Sequence, residues 1–264
     1  PDLIVNSIFY IVIIGVFIDP YIFSGRYSGI IWNPNMLSSF VVISFAFLFL
    51  KKGKKTNYQI LMLFVFLLIA LASGSRGALV AIVLAFLLKY GISMRNIVYA
   101  CLASIIYFIV LNFQIETSLN RFASQGFLND RLLQFEYAIA SINNKLFFGY
   151  GLDKYAYIDE SLIPYFLRNQ IIGAHNGYLA ILTQYGVIFG GLILYIIFQK
   201  SYNVLSFFRY SEDYERAYLF IIIYTLIAAI YETLITGINE FHTILFWFSL
   251  AILSFSRFKI ENAN

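Results

Sequence analysis

An all-α, polytopic membrane fold of about eight transmembrane helices is what this 264-residue chain predicts, on three observations. Only 12% of its residues are charged, where soluble domains carry about 25%, so it cannot clothe a water-facing surface of its size. Its apolar residues, 61% of the total, fall in long runs parted by short charged clusters. Those clusters are basic and recur on alternate connections, as topology signals do.

Eight apolar runs can be marked, at 3–18, 35–50, 58–73, 77–90, 96–113, 177–198, 217–235 and 241–256. A span needs roughly 20 residues, about 17 at the short end, so the run boundaries are soft. The third and fourth runs are parted only by Ser73-Gly74-Ser75-Arg76-Gly77. As one helix, 58–90 would reach roughly 50 Å, against a hydrocarbon core of about 30 Å. Two spans joined by a tight turn fit better, and the glycines permit that turn.

Charge favours the same division. With eight spans, one side holds Lys51, Lys52, Lys54, Lys55, Lys89, Arg95, Lys200, Arg209, Arg216, Arg257 and Lys259. The short segments on the other side hold only Arg26 and Arg76. Both chain ends are then cytoplasmic. The segments outside are 19–34, the turn at 73–77, a long loop at 114–174 and the connection near 236–240. The chain reads as a single integral membrane domain, 1–264, with 114–174 as an extracytoplasmic loop inside it. A connection of that length is more often functional than passive. Within it, Arg131–Ile142 predicts an amphipathic helix, from Leu132, Phe135, Ile139 and Ile142 at helical spacing. Phe147-Phe148-Gly149-Tyr150-Gly151 then predicts a turn with apolar anchors.

A net charge of +4 and a pI near 9.0 would suggest nucleic acid as the partner of a soluble protein. Here the basic residues lie between apolar runs, so the lipid bilayer is the expected partner and nucleic acid is not. Cys101 is the single cysteine, which rules out a disulfide or a Cys-based metal site within the chain. The chain opens on Pro1 without a signal-peptide pattern, which suggests that the numbering begins inside a longer protein.

Few residues carry chemistry. Arg76 sits in the two-glycine turn, at or near membrane depth. Its permanent charge needs an anionic partner or water there, and the plainer reading is an arginine snorkelling to headgroups. His175 lies in Ala174-His175-Asn176-Gly177-Tyr178, where the long loop re-enters the membrane. Histidine can accept a proton near neutral pH. The plainer reading makes Asn176 a helix cap and His175 an interfacial polar residue. Arg131 opens the loop helix beside Asp130, where a solvated charge is the simpler account, and Arg121 and Arg168 read the same way. Arg26, with Asn33-Pro34-Asn35 downstream, fits an interfacial turn into the second span. No D-x-D pair, H-E-x-x-H, Walker loop or G-x-S-x-G occurs, so metal and cofactor are not expected.

Four features taken together resemble the O-antigen ligase and O-antigen polymerase superfamily of membrane glycosyltransferases. They are Gly25-Arg26 through Ser28-Gly29 with Asn33-Pro34-Asn35; Ser73-Gly74-Ser75-Arg76-Gly77-Ala78; Arg131 followed by Phe148-Gly149-Tyr150-Gly151; and Ala174-His175-Asn176-Gly177-Tyr178 with Gly186 downstream. The resemblance covers about 25–200. Two departures bear on subclass: Phe135-Glu136-Tyr137 stands near where many relatives carry Trp, and Gly186, Gly190 and Gly191 match the polymerase glycine pattern approximately.

The resemblance implies a GT-C-like helical fold in the bacterial inner membrane, with the active site facing outward. It implies transfer of a glycan from an undecaprenyl-diphosphate carrier to an acceptor hydroxyl, on an acceptor glycan or on lipid A–core. It makes His175, Arg76 and Arg131 the catalytic candidates, and Arg26, Tyr178 and Arg168 the substrate-binding ones. In this reading the arginines clamp the diphosphate, His175 takes the acceptor proton, and direct attack inverts the anomeric carbon. The competing class is a transporter of a small anion or lipid-linked sugar. No internal repeat supports it, and Glu232, a carboxylate within an apolar run, is the residue that keeps it open.

Overall fold

The computed structural model describes residues 2–22, 25–113, 129–151, 175–209, 211, 215–236 and 241–263. Arg121, Arg168, Asp159-Glu160 and most of the loop expected at 114–174 lie outside the described residues. Every regular element among the described residues is helical.

In chain order the helices are α1 (Asp2–Ile18), α2 (Pro34–Leu50), α3 (Asn57–Ala72), α4 (Arg76–Tyr90), α5 (Met94–Phe113), α6 (Asn129–Asn144), α7 (Gly177–Phe207), α8 (Glu215–Ala228) and α9 (Phe241–Ala263). A short 3₁₀ turn at Gly29–Ile31 precedes α2. The chain forms two compact units: 1–124 with 210–224, and 125–209 with 225–264.

In the first unit α2 is the core. Its start follows from local chemistry: Asn33 accepts from the amides of Asn35 and Met36, and Pro34 occupies the first helical position, where a missing N–H costs nothing. Val41, Val42, Ile43 and Ala46 are fully buried, and α2 packs against α1, α3 and α4. Small residues at Ser38, Ser39 and Ser44 let neighbours come close. Tyr224 of α8 places its hydroxyl 3.4 Å from that of Ser39, and the Tyr218 ring meets Phe47 edge-on at 5.9 Å. A capping box between Thr56 and Gln59 starts α3. The run 58–90 divides into two helices, as the sequence requires, through Gly74 at φ 59°.

In the second unit α6 and α9 pack on α7. The loop helix is present but turns a different face inward. Tyr137, Ala138, Ser141 and Ile142 are buried, whereas Leu132 and Ile139, two members of the predicted apolar stripe, are about half exposed. Periodicity identifies the helix without saying which side meets protein.

The larger departure is in α7. The run 177–198, one of the eight apolar runs, does not form one continuous helix. Gly186, at φ 68° and ψ −179°, breaks it. The two arms fold back on one another. The rings of Tyr178 and Phe198 stack with centroids 5.5 Å apart, whereas twenty residues of straight helix would separate them by roughly 30 Å. A methyl group on Gly190 would lie 3.1 Å from the Ile181 carbonyl oxygen. The break frees main-chain groups, and the segment 146–151 takes them up. The amides of Tyr150 and Gly151 donate to the carbonyls of Thr183 and Gln184, at 3.0 and 2.8 Å, and that of Val187 donates to Leu146 at 2.7 Å. Among the described residues, two helices are long and apolar enough to cross a membrane, α7 and α9. In α7 it is the second arm, 187–207, that has the reach, at roughly 30 Å. Helices α1 to α4 are apolar and 17, 17, 16 and 15 residues long.

Candidate functional site

Two of the residues singled out by sequence, Arg26 and Arg76, belong to the first unit. Arg76 is the first residue of α4, and the turn before it is held from several sides. Ser73 bonds back to the Ala70 carbonyl at 2.7 Å and receives the Ser75 amide on its hydroxyl at 3.3 Å. The Tyr27 amide donates to Ala72 at 3.0 Å. Arg26 Nε donates to the Ser73 carbonyl at 3.2 Å, and Nη2 donates to Asn35 Oδ1. So the Arg26 segment and the Asn33-Pro34-Asn35 cap, distant in sequence from Arg76, brace the turn that carries it. The side chain of Ser75 does not cap α4. Arg76, as the first residue of α4, lies at the positive end of the helix dipole.

The second unit holds the other candidates. Arg131 is in the first turn of α6. Asn176 caps α7, accepting from the amides of Tyr178 and Leu179 at 2.9 and 3.0 Å. This leaves His175 just outside the helix, at φ 39°, in a left-handed conformation that histidine tolerates better than most residues. Its imidazole is 46% exposed. Tyr178 donates its hydroxyl to the Leu226 carbonyl at 2.5 Å, which ties the short arm of α7 to the last turn of α8.

Three consecutive residues, 175 to 177, are engaged by the segment 229–232. The Gly177 amide donates to the carbonyls of Ala229 and Glu232, at 2.8 and 3.1 Å. Asn176 Nδ2 donates to Ile230 at 2.9 Å. His175 Nδ1 stands 3.6 Å from Glu232 Oε2. A methyl group on Gly177 would lie 3.4 Å from the Ala229 methyl, in ordinary contact, so the two segments lie against one another here. Sequence reasoning did not pair Glu232 with His175. The available signal was a lone carboxylate in an apolar run, and nothing in the sequence says which residue it meets.

Arg26 and Arg76 thus belong to the first unit, and Arg131, His175 and Tyr178 to the second. Arg168 lies outside the described residues. Among the described residues no three His, Cys, Asp or Glu side chains gather as a metal site requires.

No curated protein matches the chain. A family model described as O-antigen ligase matches residues 60–196, just over half of the chain. The matched stretch contains the Arg76 turn, α6, the Phe148–Gly151 turn, His175 and the Gly186 break; Arg26 and Glu232 fall outside it. The chain therefore belongs to the O-antigen ligase family, whose members are glycosyltransferase-like enzymes acting on lipid-linked glycans.

Proposed function

We propose that this protein transfers a glycan from an undecaprenyl-diphosphate carrier to an acceptor hydroxyl on the outer side of the bacterial inner membrane. The observation that carries the reading is the family match across the Arg76 turn, α6 and the His175 helix start. Eight spans, with both ends cytoplasmic, place the Arg76 turn and the approach to His175 on one side. The apolar spans hold the polyprenyl tail, and 114–174 covers the sugar, all within one GT-C-like membrane domain.

The chemistry follows from the residue types. The acceptor oxygen attacks the anomeric carbon as the bond to the diphosphate oxygen breaks, which inverts that carbon. The proton passes to His175, and the lipid diphosphate leaves with its charge held by Arg76 and Arg131, whose forked donors fit phosphate oxygens. The amides at the start of α4 add to the same field. A diphosphate is already a good leaving group, so the step uses neither a metal nor a covalent enzyme intermediate. Arg26 acts by bracing the Arg76 turn, Tyr178 by fixing the arm that presents His175, and Arg168 by binding the glycan. The acceptor is a second repeat unit, in a polymerase, or lipid A–core, in a ligase.

The test is transfer by purified protein given lipid-linked repeat units, with and without lipid A–core. His175→Ala lowers the rate by roughly 10²–10⁴, the usual worth of a general base. Arg76→Ala and Arg131→Ala lower it comparably, with membrane insertion intact. Unchanged transfer in all three variants would refute the assignment. Lengthening of the lipid-linked chain without a second acceptor identifies a polymerase, and product only with lipid A–core identifies a ligase.

A further inference from the structure

We infer that Glu232 is the positioning residue for the proton acceptor, setting the tautomer and aim of His175; the inference rests on the reading of His175 as the base. A neutral imidazole that accepts a proton at one nitrogen must carry hydrogen on the other, and a carboxylate facing that nitrogen selects this tautomer. Glu232 Oε2 faces Nδ1 at 3.6 Å. Nε2 is then the nitrogen left to receive the acceptor proton. The separation is that of an ion pair, longer than a hydrogen bond, and catalytic contacts of this kind tighten when substrate binds.

Main-chain register supports the pairing. Glu232 engages the segment twice, through its carbonyl to the Gly177 amide and through its carboxylate to His175. Ile230 and Ala229 bind Asn176 and Gly177 in step with it. The ladder fixes the register of the two main-chain segments, so the Glu232 side chain starts from a set position beside the imidazole. Exposure is graded in the useful direction: the side chain of Glu232 is 25% exposed and that of His175 46%, so the partner is the more enclosed and the base the more open. His175 sits at φ 39°, directly before the two residues that the 229–232 segment bonds.

As the proton leaves the acceptor hydroxyl for Nε2, the imidazole becomes positive, and the Glu232 charge stabilises it without taking the proton. Such help appears in the transition state and not in substrate binding, so it acts on kcat rather than KM.

The test is kcat and KM for transfer from lipid-linked repeat units, with melting temperature followed in detergent, for Glu232→Gln, Glu232→Asp, His175→Ala and Glu232→Gln in the His175→Ala background. Glu232→Gln is expected to lower kcat by roughly 10- to 100-fold at unchanged KM and melting temperature. Glu232→Asp keeps the charge and recovers much of the loss. In the His175→Ala background the Glu232 change has no further effect, because there is no imidazole left to position. If His175→Ala abolishes transfer while Glu232→Gln retains it, the Glu232 assignment is wrong and the base stands. If His175→Ala retains transfer, the base itself is wrong. Should Glu232→Gln fold poorly, Glu232→Asp carries the comparison: a several-fold loss that vanishes without His175 supports positioning, and a loss that persists overturns it.

Discussion

Arg26 and Tyr27 are neighbours with opposite dependence on their polar atoms. Arg26 spends its guanidinium on the Ser73 carbonyl and the Asn35 side chain, bridging two segments that frame Arg76. Tyr27 is 4% exposed, and its hydroxyl has no hydrogen-bond partner. The hydroxyl packs against Gly29 and Gly15. Burial, with the Asp19 charge nearby, raises the Tyr27 pKa, so the group stays a neutral hydroxyl. Arg26→Ala is expected to cost about 1 kcal/mol, less than a fully buried charged hydrogen bond because Arg26 is exposed. Tyr27→Phe is expected to leave the melting temperature unchanged or raise it, since an unpartnered buried hydroxyl costs about 1–3 kcal/mol. Thermal unfolding in detergent checks both, and a large loss from Tyr27→Phe would show that the hydroxyl is bonded. Local chemistry of this kind was legible in advance where donor and acceptor are close in sequence. The Asn33-Pro34 start, the Asn176 cap and the Gly74 turn are examples. The Arg26 bridge to Ser73 and the approach of Glu232 to His175 were not legible, because each joins residues about 50 positions apart.

Among the elements, α7 decides the geometry. The apolar run 177–198 is interrupted only by Thr183-Gln184 and its glycines, so the sequence reads as one span. The break is set elsewhere, by the 146–151 segment that accepts and donates the main-chain bonds lost at Gly186. Both glycines at this junction are required by space as well as by backbone angle. A methyl group on Gly186 would meet the Phe147 carbonyl at 2.3 Å, and one on Gly149 would meet that of Gln184 at 2.5 Å. Each has positive φ, at 68° and 66°. Neither clash can be relieved by a side chain, since the obstacle is main chain. Gly191, five residues on in the second arm, has nothing within 4 Å. Gly186→Ala and Gly149→Ala are therefore expected to cost about 3 kcal/mol or more each. Gly191→Ala is expected to be neutral or stabilising by about 1 kcal/mol. Yields and melting temperatures of the three purified variants check this, and equal tolerance of all three would mean that the arms do not fold back as described. In the proposed mechanism the hairpin matters because it brings Tyr178, and with it the His175 end of the short arm, alongside the second arm instead of setting it at the far end of a straight span.

At the scale of the whole molecule, composition and charge gave the helical membrane class, and four ordered motifs gave the family. They could not give the packing within each unit, which rests on contacts between residues remote in sequence. The proposed mechanism makes one demand on the two units together. Arg76 is carried by the first and His175 by the second, and a single lipid diphosphate with its acceptor must reach both. The most direct measurement is a cross-link in membranes. Arg76→Cys and His175→Cys are introduced with Cys101→Ser, so that no other thiol is present, and a protease site is inserted between positions 114 and 128. A short bifunctional thiol reagent is then applied, and the chain is cleaved. The account predicts that the two fragments stay joined, and that either single cysteine alone leaves them separate. Fragments that part after cleavage, although both thiols have reacted, would contradict it.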